Sequence, residues 1–333
     1  MPRAMTTQPD PEAARWNYHP PGPVPLNPLF AWPPNPRAVA NWYRSAWLPM
    51  TALTLTFLVA VLIYWAFLPP LEQMQSLRAG WIIRLWALNA VPQTLIAGGL
   101  HWWLYMRKAQ GMRKKFDARD LTRNNGVFTF NSQVLDNIWW TLGSAISVAT
   151  TYQVLIYWAM ANGWTPMITF AQAPVWFVIW MFFIPMWSGF HFYWTHRLEH
   201  HPRLYKHVHA VHHRNVNTGP WSGISNHWFE NMLYFSTYFV HLIVPSHPLH
   251  LLFHSYFQQC LPVLSHSGFE KVIAQKTEVA KTGDFFHQLH HRYFECNYGT
   301  SELPFDKWFG TYHDGSAAAT QRTRAHKKQM YTK

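Results

Sequence analysis

Charge is scarce in this chain. Only 13% of its 333 residues are Asp, Glu, Lys or Arg, and there are just two cysteines, Cys260 and Cys296. Two thiols are too few for a disulfide framework or a cysteine-held iron–sulfur site, and they read as free. No glycine-rich dinucleotide fingerprint is present, so any redox chemistry needs electrons from another protein. Nor is there an early apolar run with a small-residue cleavage site, so no signal peptide is expected.

What is plentiful is aromatic and imidazole: 20 Trp, 15 Tyr, 23 Phe and 21 His. Aromatics beside so little charge suit a body that faces lipid and whose edges lie among headgroups. A net charge of +12 would suggest nucleic acid in a soluble protein. Here the cations flank apolar blocks, at Arg37 and Arg44, at Arg107, Lys108, Arg113, Lys114 and Lys115, and at Arg322, Arg324, Lys327 and Lys328. That placement fits anchoring against anionic lipid heads and makes nucleic acid an unexpected partner.

Residues 1–36 hold 11 prolines and are expected to be extended or disordered. Charge-free or nearly charge-free blocks follow at 47–68, 81–106, 138–161 and 175–193, each near the roughly 20 residues that cross a hydrocarbon core. Lys and Arg gather before the first block and between the second and third, which puts those segments and the residues after 193 on the cytoplasmic side. The uncharged stretch 232–262, broken by Pro245 and Pro248, is expected to be a helical hairpin or an interfacial pair. The chain thus divides into a proline-rich segment (1–36), two spans with a basic loop (37–130), a catalytic region (131–315) and a basic polar tail (316–333). The expected fold is an all-α integral membrane protein of about four transmembrane helices, with a cytoplasmic histidine-rich helical cap. An inner membrane or the endoplasmic reticulum would suit such a multi-pass protein.

Seventeen of the histidines lie between His191 and His291. They recur as His196-x3-His200, His209-x2-His212-His213 and His287-x2-His290-His291. Residues three and four apart share a helix face, so each cluster can aim two or three rings at one point. Consecutive histidines diverge by roughly 100° on a helix, so a His-His step can serve two neighbouring metals. That step occurs at 200/201, 212/213 and 290/291. An all-imidazole set suits zinc, copper, iron or nickel, and its size exceeds what one tetrahedral zinc uses. One dinuclear centre is the economical reading. Two others stand beside it. His196-Arg-Leu-Glu199-His200 fits the inverted zinc-peptidase signature with Glu199 as general base, which leaves the other clusters without a role. A non-catalytic metal-binding membrane protein is the third, though it lacks the mixed Cys and His set of structural zinc.

The run His196-Arg-Leu-Glu-His-His-Pro-Arg-Leu-Tyr-Lys-His-Val-His209-Ala-Val-His212-His213 resembles the histidine boxes of the fatty acid hydroxylase and sterol desaturase superfamily, closest to its sterol C-5 desaturase-like branch. Ser225-Asn226-His227, Leu264-Ser265-His266-Ser267-Gly268, His287-Gln-Leu-His290-His291, Asn297-Tyr298-Gly299 and Phe305-Asp306-Lys307-Trp308-Phe309-Gly310-Thr311 follow in the family's order. The chain departs from the pattern at Phe305, where Trp is usual, and at Glu230, where Pro often follows the histidine directly. The resemblance implies a membrane enzyme holding two iron ions, with zinc a possible substitute in purified protein. It would use dioxygen and external electrons, from a small cytochrome or a ferredoxin with its reductase, to attack an unactivated C–H bond of a lipid. Carried over, the ligands are His196, His200, His209, His212, His213, His287, His290 and His291, joined by His227 and His266, which alternatively orient a ligand ring. Hydroxylation and desaturation both fit, on a sterol-like lipid, an acyl chain or a lipid headgroup. Asn297, Gly299 and Asp306 are expected to brace the last box, and His241, His247, His250 and His254 to be bystanders.

Overall fold

A computed structural model describes residues 16–47 and 51–331. Residues 1–15 of the proline-rich segment, 48–50 of the first apolar block and 332–333 of the tail lie outside the described residues. The part of the proline-rich segment that is described is irregular, with a short 3-10 turn at Pro28–Phe30, and it is docked rather than loose. Asn17 donates its amide to the Met112 and Lys115 carbonyls at 2.7 and 2.8 Å, and Asn27 reaches the Glu302 carboxylate at 2.9 Å.

Helix α1 (Pro36–Trp47) is followed by α2 (Ala52–Ala66), which Thr51 caps by accepting from the Thr54 amide. Then come α3 (Ala79–His101), with Pro92 inside it, and the pair α4 (Gln133–Trp139) and α5 (Ile146–Ala161) joined by a π-helical segment. The long α6 (Pro174–Glu199) carries the first histidine box at its C-terminal end. After the short α7 (Pro202–Leu204), a π-helical segment at Tyr205–His209 and α8 (Ala210–His213) carry the second, and α9 (Trp228–Phe235) follows. Helix α10 (Pro248–Ser265) leads to strands β1 (Lys271–Ala274) and β2 (Thr277–Lys281), then to α11 (Phe285–Tyr293), α12 (Phe305–Trp308) and α13 (Ala317–Tyr331).

The protein is mostly helical, as expected, but not all-α. β1 and β2 form an antiparallel hairpin with a register shift at Val272/Ile273, and Gln275 turns it at φ 55°. Val272, Ile273, Thr277 and Val279 favour the extended chain, a short signal between two histidine regions.

Helix α6 alone, among the described residues, is long and apolar enough to cross a membrane. Its Trp180, Met181, Ile184 and Ser188 are buried, while Val175, Ile179, Phe182 and Phe183 are exposed. A helix apolar on every side needs a non-aqueous neighbour on its outer face. α2 is apolar but shorter. The other expected spans carry polar residues that face inward: Asn89 of α3 donates to Thr150 and Gln153 of α5 at 2.9 and 2.7 Å.

The stretch 232–262 is not a peripheral pair of helices. It contains the end of α9, a 3-10 segment at Ser236–Leu242 and most of α10, which is buried along most of its length. α10 joins both large cores: its Leu251 packs with Leu85, Ile146, Tyr157 and Tyr238, and its Leu252, Phe253 and Tyr256 pack with Ala60, Ile63, Trp180 and Ile184. Its histidines are satisfied locally. His241 and His254 bond each other at 3.0 Å, His254 also meets Ser188 at 2.9 Å, and His247 and His250 cap the helix start.

Candidate metal centre

Each histidine box sits at a helix end, where the chain changes direction and several boxes can converge. Thr218 and Asn217 follow the second box in a loop that α4 fixes: Gln133 donates to Asn215 at 3.0 Å and to the Asn217 carbonyl at 2.7 Å, and Asn137 donates to Asn215 at 2.9 Å. The last box starts where Asp284 caps α11 by accepting from the Phe286 amide at 3.0 Å. Asn297, just beyond it, donates to the Phe286 and His313 carbonyls, both at 3.0 Å, and accepts from the His313 amide at 2.7 Å.

Nine of the ten expected ligands fall into two adjoining buried groups. His196, His200, His209, His213 and His290 form one; His212, His266, His287 and His291 form the other. The steps 212/213 and 290/291 are each split between the groups, one ring to either side, because neighbours on a helix diverge. The step at 200/201 is not: His201 is exposed at the start of α7. His227 is brought to neither group. It packs on Trp140 and accepts from the Phe229 amide at 3.3 Å, capping α9.

Within the groups the ring Nε2 atoms face one another. In the first, His196 and His209 approach to 3.1 Å, His200 lies 3.2 Å from both His213 and His290, and His290 lies 3.0 Å from His213. In the second, His266, His287 and His291 are 3.0 to 3.1 Å apart. Three of these rings cannot donate from Nε2. The Nδ1 atoms of His196, His290 and His266 face the carbonyls of Tyr298, Cys296 and Pro262 at 2.6, 2.7 and 2.9 Å. A carbonyl only accepts, so those rings carry their proton on Nδ1 and present a bare Nε2 lone pair. Lone pairs about 3.0 to 3.4 Å apart are what metal–nitrogen bonds of about 2.1 Å require, for angles from 90° to tetrahedral. The donor set therefore fits a pair of metal ions.

Burial keeps His209, His212, His213, His287, His290 and His291 well below the usual imidazole range, and holds His266 down to about 4. Neutral imidazole is the ligating form. Two carboxylates, Glu199 and Glu230, lie behind the first group on the Nδ1 edge of His209, at 3.8 and 2.9 Å. Burial and the nearby Glu199 raise the pKa of Glu230 in the metal-free cluster, and a bound dication would act in the opposite direction.

The sequence named Glu230 only as a departure from a motif, and its role was not legible there. The Tyr298, Cys296 and Pro262 carbonyls were equally hidden, since a backbone acceptor leaves no residue-type signal. Asp306 is a brace: it accepts from the amides of Tyr298 and Gly299, each at 2.8 Å, and from the Thr311 hydroxyl at 2.6 Å. Both cysteines are free and buried.

The box-bearing stretch, residues 178–311, matches the family model for fatty acid hydroxylase. That match and the relatives below make this stretch similar to fatty acid hydroxylase and sterol desaturase proteins. A Delta(7)-sterol 5(6)-desaturase of Gibberella zeae is 34% identical over 121 residues, covering 36% of this chain and 37% of that protein. One from Aspergillus fumigatus is 28% identical over 141 residues, covering 36% and 44%. Methylsterol monooxygenase 1 of Gallus gallus is 30% identical over 121 residues, covering 36% and 41%. The chain thus spans about two fifths of the length of these curated relatives. No solved structure gives a significant match.

Proposed function

We propose that the protein is a membrane-bound oxygenase that holds two iron ions and uses dioxygen and external electrons to hydroxylate or desaturate a lipid, with a sterol-like compound favoured. The observation that carries this reading is the pair of adjoining all-histidine groups. Neutral ligands leave the positive charge of two ions uncompensated, a setting that welcomes an anionic oxygen species. Bound iron would supply the activation of dioxygen that an unactivated C–H bond demands. The names of the relatives favour the sterol class, in which both desaturation and monooxygenation occur.

The residues divide the remaining work. The Tyr298, Cys296 and Pro262 carbonyls lock the tautomers of His196, His290 and His266, so the lone pairs stay aimed without rearrangement. The buried α10 and the Phe192 ring, stacked on His196 at 4.7 Å, exclude water from one side of the centre. Helix α6, with the blocks at 52–66, 79–106 and 133–161, supports a multi-pass arrangement with the histidine cap on the cytoplasmic side. A pocket lined by Tyr205, Phe294, Glu295 and Lys327 lies behind His213, whose ring is 5.0 Å from that of Phe294. Lys327 is shared with a second pocket that Arg292 and Arg324 also line, and this basic surface suits an acidic electron-donor protein.

Glu199 argues against the peptidase reading. Its carboxylate faces the back of the His209 ring, whereas a general base would need to face the metal-bound water. Metal analysis combined with oxygen-isotope labelling tests the proposal. About two ions per chain are expected, with either labelled oxygen in a lipid alcohol or loss of two adjacent hydrogens. Less than one ion per chain, together with an unchanged lipid profile when the parent is compared with His290→Ala, would overturn it.

A further inference from the structure

We infer that Glu230 makes the two metal positions unequal, strengthening the five-histidine position alone by a charged hydrogen bond to the back of His209. The inference rests on the metal-centre reading above.

Glu230 Oε1 lies 2.9 Å from His209 Nδ1, and Glu230 and His209 are 3% and 1% exposed. At that depth a carboxylate–imidazole contact is little screened. The carboxylate holds the proton on Nδ1 and pushes electron density onto the ring, making Nε2 a stronger donor. The other rings whose Nδ1 partner is seen are served by neutral carbonyls: Tyr298 for His196, Cys296 for His290 and Pro262 for His266. Among the described residues, ion-pair geometry brings carboxylates to His209 and to no histidine of the four-member group. Glu199 is the second, at 3.8 Å and without a hydrogen bond, and burial raises its pKa.

The local fold places Glu230 for this task. It occupies the first turn of α9, where unpaired backbone N–H groups favour an anion. His227 caps that helix, so the one expected ligand that joins neither group instead fixes the element bearing the carboxylate. Glu230 is in this account a positioning residue, acting on the metal through His209.

Cobalt(II) titration of the metal-free protein in detergent, followed by absorption, tests the asymmetry without turnover. His266→Ala with His291→Ala disables the four-histidine position and leaves the other to be read. In that background Glu230→Gln should weaken cobalt binding by about 10- to 100-fold. In the opposite background, His213→Ala with His290→Ala, it should change nothing. Glu230→Asp, which keeps the charge, should recover part of the loss, and it carries the test if the Gln variant does not fold. Equal losses at both positions, or no loss at the five-histidine position, would overturn the inference. A parent protein that binds no cobalt would instead defeat the metal-centre reading itself.

Discussion

Asp306→Asn is the sharpest probe of how the last histidine box is held. One Asp306 oxygen takes the Tyr298 amide and the Thr311 hydroxyl, and the other takes the Gly299 amide. Asparagine replaces one oxygen with a donor, so in either orientation at least one buried backbone N–H faces an NH₂ group. An orphaned buried donor costs about 1–3 kcal/mol, and the surviving bonds lose charge assistance worth about 1 kcal/mol more. A loss of about 2–4 kcal/mol follows. Burial raises the Asp306 pKa, while hydrogen bonds from Thr311, Gly299 and Tyr298 and the nearby Arg197 oppose the rise. The Tyr298 carbonyl accepts from His196, so disturbing this loop also releases a ligand ring. Thermal unfolding in detergent reads the stability term, and metal analysis of the same sample reads the ligand term. An Asn variant with the parent's melting temperature and metal content would refute the bracing argument.

Three further outcomes are expected. His290→Ala and His291→Ala, adjacent in sequence but in opposite groups, should each remove one metal and spare the other, as read by metal analysis with a spectroscopic label; loss of both ions from either variant would contradict separate groups. Gly223→Ala would set a Cβ 2.4 Å from the Pro262 carbonyl atoms and 2.8 Å from the Val263 nitrogen, so it should destabilise by at least about 1–3 kcal/mol and also displace His266, which bonds that carbonyl; full metal content in the variant would count against this. The metal-free protein should be more acid-labile than the metal-bound form. His266 is depressed to about 4 when folded and regains an ordinary value near 6.5 when unfolded, so the unfolded state takes up its proton first. Stability should therefore be complete above about pH 6.5 and fall towards pH 4, by up to about 1.4 kcal/mol per pH unit for each such histidine. Denaturation midpoints that stay flat across this window would show that these imidazoles are not buried neutral.

Much of the chemistry was legible in the sequence because it depends on local spacing. The i, i+4 pairs 196/200, 209/213 and 287/291 share a group and the consecutive pairs at 212/213 and 290/291 diverge, as helix periodicity implies, whereas the i, i+3 pairs 209/212 and 287/290 fall in opposite groups. His266 was found through its motif rather than its spacing. His227 had a similar signal, and only the fold showed its ring capping α9, away from both groups. The same limit applied to 232–262, where an uncharged, proline-broken stretch fits an interfacial pair and a buried central helix equally well. Its place depends on partners in α2, α3, α5 and α6, all distant in sequence. The β-hairpin at 271–281 was hidden because nine residues of strand give too short a pattern to stand out.

Donor type, the number of clusters and the division of neighbouring rings follow from side-chain chemistry and helix periodicity, and so could be read from the residues in order. What lies behind each ring is set by the packed fold. Backbone carbonyls from Pro262, Cys296 and Tyr298 and the single close carboxylate of Glu230 are brought to their histidines by packing across the chain. Hydrogen bonds of that kind depend on distance in space, and sequence spacing carries no record of it.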